Sequence, residues 1–142
     1  MAINTGKVVV GGLLAGLVLN VFDMVTQFTI FADDMKAMVA RLHLDPAVMQ
    51  PSAAQIIPWV SVDFLMGILI VWNYAAMRPR FGPGPGTAVK AGLVLYLAVT
   101  AVLFGFTTIG VFTMDMFLKQ SAVWVVAVIV ASAAGGWAYK ET

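Results

Sequence analysis

Four side chains have the types and the spacing to do chemistry in an otherwise apolar setting. Asn20, Asp23 and Gln27 lie within GGLLAGLVLNVFDMVTQFTIF (Gly11 to Phe31), and Asp63 lies within IIPWVSVDFLMGILIVWNYAAM (Ile56 to Met77). The first three recur at i, i+3 and i+7, which sets them on one face of a helix as a polar stripe. Acids and amides embedded among apolar residues can hold a proton or small cation, anchor the polar head of a ligand, or bond one helix to another. The surrounding solvent decides how costly they are.

That solvent is not water. Of the 142 residues, 61% are hydrophobic and 11% are charged, against about 25% charged in typical soluble domains. The charges fall between apolar runs, the layout of membrane spans joined by loops. Four such runs are long enough to cross a hydrocarbon core of about 30 Å, near residues 7–31, 56–77, 88–112 and 118–139. The expectation is an all-α integral membrane domain of four transmembrane helices covering residues 1–142.

On those spans Asp23 lies roughly 6 Å past the middle of the first, and Asp63 a similar distance before the middle of the second, which runs the opposite way. The two carboxyls are expected at one level. A carboxylate at membrane depth costs about 2.5–3.5 kcal/mol on insertion scales. With no basic residue at that depth, the two should not both be ionised, and at least one is expected to carry a proton at neutral pH. Ser61, Thr107 and Thr108 could bring hydroxyls to the same height.

Other features describe the scaffold. Gly12 and Gly16, and later Ala131/Gly135 and Ser132/Gly136, are small-xxx-small pairs that let helix backbones approach closely. After Asp33 and Asp34, the residues Met35, Met38, Val39 and Leu42 recur at i, i+3, i+4 and i+7, predicting a short amphipathic helix suited to the membrane interface. The acidic pair is well placed for its cap and dipole. Asp45-Pro46 predicts a second helix start, with the chain then irregular until the second span at about Ile56, whose first turn tolerates Pro58. RPRFGPGPGTAVK (Arg78 to Lys90) predicts a loop. Trp59, Trp72, Tyr74, Trp137 and Tyr139 fall near span ends, as interfacial anchors do. Lys7, Arg78, Arg80, Lys90 and Lys140 fall on one side and Lys36, Arg41 and Lys119 on the other, which favours cytoplasmic termini.

Several functions are disfavoured. There is no cysteine, which removes disulfides, thiolate nucleophiles and cysteine metal sites. No cluster of Lys and Arg exists to grip a nucleic acid. His43, the only histidine, falls in the connection after the amphipathic helix and reads as an ordinary surface residue. The methionines read as apolar filler. FGPGPG lacks the context of a phosphate loop, and no nucleophilic triad can be assembled, so no enzyme is expected. No metal site or identifiable cofactor is indicated.

The stretches GGLLAGLVLNVFD, WNYAAMRPRFGPGPGTAVKAG and GGWAYKE, in that order, resemble a group of small uncharacterised bacterial four-helix membrane proteins. Those proteins carry an Asn and an acid in the first span and a Tyr-Ala-Ala, then Arg-Pro-Arg-aromatic-Gly-Pro-Gly-Pro run after the second. The resemblance covers the whole chain. It implies four membrane helices, a role for Asn20 and Asp23, and no established activity.

Three functions are compatible with these residues. The chain could be a non-enzymatic accessory or self-associating subunit of the bacterial inner membrane, packing against lipid and other membrane helices through Gly12, Gly16, Gly135 and Gly136. It could be a small proton- or cation-coupled carrier or channel using Asp23 and Asp63. It could bind a lipid, quinone or other apolar cofactor between its helices.

Overall fold

Asn4 opens the first long helix by accepting the Lys7 N–H at 3.1 Å, an N-cap that satisfies one of the free donors of the first turn. The apolar run that follows has no proline, so the helix continues unbroken to Thr29. In the computed structural model, which describes residues 3–140, the elements are α1 (Thr5–Thr29), α2 (Ala32–Arg41), a 3-10 turn (Pro46–Met49), α3 (Ala53–Phe81), α4 (Pro85–Thr108) and α5 (Met114–Ala138). No strand occurs among the described residues. The helices α1, α3, α4 and α5 are long and apolar enough to cross a membrane. They contain 24 to 29 residues each, or about 36–43 Å of helix, and belong to a multi-pass membrane protein.

Two boundaries differ from expectation, each for a local reason. The stretch predicted to be irregular until about Ile56 is helical from Ala53. There the Ser52 N–H donates to Gln55 Oε1 at 2.8 Å, and Pro58, in the second turn, forgoes only its own N–H bond. The predicted loop over Arg78–Lys90 shrinks to residues 82–84. α3 runs through Pro79, and Pro85 starts α4 at a first-turn position, where a missing N–H costs nothing. Gly82 stops α3 instead, with φ at 79°.

The four long helices pack through small residues. α1 and α3 cross where Gly12 and Gly16 meet Gly67. A methyl group built at Gly12 would lie 2.5 Å from the Ile68 Cα, and one at Gly16 would lie 2.6 Å from the Phe64 Cα. α1 meets α5 where Gly135 would place a methyl 2.9 Å from both the Gly11 carbonyl and the Ala15 Cβ. α5 meets α4 with Gly136 against Ala88 and Ser132 against Gly92. All four glycines expected to pack helices therefore do so within the chain. The core cluster includes Val8, Ala15, Leu19, Ile70, Val71, Tyr74 and Ala131.

Tyr74 and Tyr139, expected at the interface, are instead buried. They meet edge to face at 6.0 Å, with the Arg78 guanidinium over both rings. Tyr74 Oη also accepts the Gly84 N–H at 3.1 Å, which fixes the α3–α4 connection. Trp59, Trp72 and Trp137 are exposed, as anchors should be.

At the opposite end, α2 forms over Ala32–Arg41 and buries Val39. Its N-cap is Phe31, with no side-chain bond, so the acidic pair does not cap it. Asp33 pairs with Lys36 at 3.0 Å, and Asp34 reaches across to Lys119 on α5 at 2.8 Å. Arg41 donates to the Val111 carbonyl at 2.7 Å and to that of Gly110. α2 is thus strapped to the α4–α5 turn. The predicted start at Asp45-Pro46 forms a 3-10 turn, with Asp45 accepting the Ala47 N–H at 2.8 Å.

Candidate functional site

The polar stripe of α1 is positioned by the glycine crossing just below it. Because Gly12 and Gly16 bring α1 against α3, the next turn of α1 places Asn20 at the interface. Its amide donates to the Gly16 carbonyl at 2.9 Å and, across the helix pair, to the Val60 carbonyl at 3.4 Å. One turn farther, Asp23 is half-buried and accepts from Gln27 Nε2 at 3.5 Å, a long bond within one helix. Asp23 lies about 9 Å past the middle of α1, and Asp63 about 6 Å before the middle of α3, so the antiparallel pair brings them to the same end.

Asp63 is only 9% exposed and lies within electrostatic range of Asp23. Among the described residues no group hydrogen-bonds its carboxyl. The four predicted residues are therefore gathered along the α1–α3 seam, but their bonding is uneven. Asn20 links the helices, Asp23 and Gln27 bond each other, and Asp63 has electrostatic contact alone.

The expected hydroxyls do not join them. Ser61 donates to Ile57, Thr107 to Phe104 and Thr108 to Gly105, each a carbonyl of its own helix. Neither Thr107 nor Thr108 hydrogen-bonds a carboxyl. Thr26, not singled out from sequence, is buried beside the stripe and donates to the Phe22 carbonyl at 2.7 Å. Its i+3 spacing from Asp23 was the signal available.

No family model, curated protein or solved structure matches this chain. What the site can do must follow from its own chemistry. Two carboxyls at one level repel as anions and attract any cation that reaches them, and Lys119 of α5, at the same end of the bundle, is turned to Asp34. No nucleophile–base pair accompanies them. His43 is far along the chain and exposed, at the end of α2 with φ of 52°.

A second set of residues bonds α3 to α4. Asn73 donates to the Ala91 carbonyl at 2.9 Å, a side-chain link between two of the long helices. Its place in WNYAAM, beside an aromatic pair, gave no periodic signal to distinguish it from an interfacial residue.

Proposed function

We propose that this chain is a non-enzymatic, multi-pass membrane protein in which Asp23 and Asp63 bind a proton or small cation and pass it across the bilayer. The observation that carries this is Asp63: buried, beside a second acid, and unbonded among the described residues. A group kept as hydrogen-bonding glue should have a partner on a facing helix, as Asn20 does. A carboxyl left without one, at a cost of about 2.5–3.5 kcal/mol or more, is the usual mark of an ion or proton pathway.

An accessory or self-associating role has less support from the packing. It was to use the small-residue faces of Gly12, Gly16, Gly135 and Gly136, and those faces are occupied inside the chain. The remaining exposed apolar surface suits lipid.

The setting that fits is a bacterial inner membrane with both termini cytoplasmic. Arg78, Arg80 and Lys90 cluster at one end. At the other, Lys36 and Lys119 are paired with acids, and α2 lies along the outer interface.

The test is gradient-driven flux in proteoliposomes of the purified chain. Wild type should move protons or an alkali cation down a gradient, and Asp63→Asn and Asp23→Asn should each reduce the rate at least about tenfold while eluting as wild type. Flux that survives in Asp63→Asn refutes the proposal. So does the absence of flux in wild type together with stoichiometric partner subunits after mild-detergent purification, the result an accessory role requires.

A further inference from the structure

The bases at the two ends of the bundle are matched differently. At the α2 end, Lys36 is paired with Asp33, Lys119 with Asp34 and Asp115, and Arg41 with two backbone carbonyls. At the opposite end, where α3 turns into α4, Arg80 and Lys90 are exposed, and neither forms an ion pair among the described residues. Lys90 instead holds its ammonium 5.4 Å from the centre of the Phe81 ring. Phe81 is the last residue of α3 and is itself 53% exposed, and Arg80 precedes it in the chain. Two positive charges and an aromatic face therefore share the rim of the α3–α4 turn, with no counter-charge among the described residues.

The rim is firmly built and unobstructed. Tyr74 Oη accepts the Gly84 N–H at 3.1 Å, the Gly82 N–H donates to the Arg78 carbonyl at 2.8 Å, and Thr87 Oγ1 donates to the Phe81 carbonyl at 3.4 Å. A methyl group built at Gly82, Gly84 or Gly86 would meet nothing within 4 Å, so the turn is open to a molecule lying against it. Its depth follows from the helices it joins. Both α3 and α4 are long and apolar enough to cross a membrane, so their junction lies where hydrocarbon gives way to headgroups, the level at which exposed aromatic rings collect. An ammonium drawn to the face of such a ring stays at that level instead of extending into water.

We infer that this rim binds the headgroup phosphate of an anionic phospholipid, with Arg80 and Lys90 supplying the charge and Phe81 the apolar contact beneath it. A soluble polyanion would match the two bases but not an exposed ring at the hydrocarbon boundary. A zwitterionic lipid brings its own ammonium, which offsets the phosphate that the bases would hold. A lipid of net negative charge suits both the bases and the ring. Each base beside an anionic lipid surface strengthens attachment about fivefold, so the pair should give a preference of about 25-fold. Asp23 and Asp63 take no part, since they lie toward the opposite end.

The test titrates the purified full chain in mild detergent with phosphatidylglycerol or with phosphatidylcholine of the same acyl chains, and follows bound lipid by native mass spectrometry. Phosphatidylglycerol should bind at least about tenfold more tightly. Arg80→Gln and Lys90→Gln should each cut that preference about three- to fivefold, and the double variant should abolish it. Lys90→Arg, which keeps the charge, should retain it, and Lys36→Gln, at the other end, should leave it unchanged. All of these positions are exposed, so each variant should elute as wild type. Equal binding of the two lipids, an undiminished preference in the double variant, an equal loss in Lys36→Gln, or displacement of the lipid by inorganic phosphate overturns the inference.

Discussion

Gly67 is the position where the fold is most sensitive to a single methyl group. A Cβ placed there would overlap the Gly12 carbonyl oxygen and the Gly16 nitrogen, and would stand 2.7 Å from the Gly16 Cα. Carbon atoms in contact prefer about 3.5–4.0 Å, so Gly67→Ala must push α1 and α3 apart by about 1 Å. That shift loosens Gly12 on Ile68 and Gly16 on Phe64, and stretches the Asn20–Val60 bond, already 3.4 Å, out of range. Overpacking of this kind costs about 1–3 kcal/mol, and an interhelical bond in a membrane protein is worth about 0.6 kcal/mol. Alanine also gains up to about 1 kcal/mol of helix propensity over glycine, which would hide part of the loss.

Gly105→Ala provides the control. It makes the same chemical change in α4, where an added Cβ meets nothing within 4 Å. Stability measured by titration from mild detergent into dodecyl sulfate, read by helicity and tryptophan fluorescence, should be neutral or raised for Gly105→Ala. Gly67→Ala should fall below it by about 2–3 kcal/mol. Equal stability of the two variants would mean that α1 and α3 do not cross at these glycines.

Gly92→Ala would drive its methyl into the Ser132 hydroxyl and should destabilise the α4–α5 pair by about 1–3 kcal/mol. Adding Ser132→Gly should restore most of that, and a double mutant as unstable as the sum of the singles would refute the contact. Asn73→Ala removes the 2.9 Å link from α3 to the Ala91 carbonyl, and should cost about 0.5–1.5 kcal/mol. Hydrogen exchange should then quicken in the first turns of α4 before it changes in α1, an order that unchanged exchange there would contradict.

The sequence made the membrane helices legible because their signal is additive: a stretch of about twenty or more predominantly apolar residues outweighs any local exception. Gly12, Gly16, Gly135 and Gly136 were legible as packing positions because small residues four apart share a face. Their partners were not, since Gly67 stands alone in its span and only the crossing of α1 over α3 reveals its use. Proline misled at Pro79, read as part of a loop although α3 continues through it to Phe81, whereas Pro58 is tolerated near the start of the helix as expected. The aromatic rule failed at Tyr74 and Tyr139, whose rings meet each other and the Arg78 guanidinium, while holding for Trp59, Trp72 and Trp137. At the candidate site, depth arithmetic brought Asp23 and Asp63 together, because α1 and α3 are antiparallel and both offsets are counted from the middle. Thr107 and Thr108 do not join the acids, because each hydroxyl is satisfied by a carbonyl of its own helix.

The position of α1 has a consequence for how the chain matures. Of the four long helices described, α1 is synthesised before the others, and it packs against α3 and against α5, which follows them all. The small-residue surface around Gly11 and Ala15 therefore lacks its α5 neighbour until that helix leaves the ribosome and inserts. A chain stopped after α4 would present that strip to the lipid, or to whichever insertion factor or quality-control protease surveys unfinished bundles. Integration of α5 becomes the step that commits the newly made protein to its native assembly.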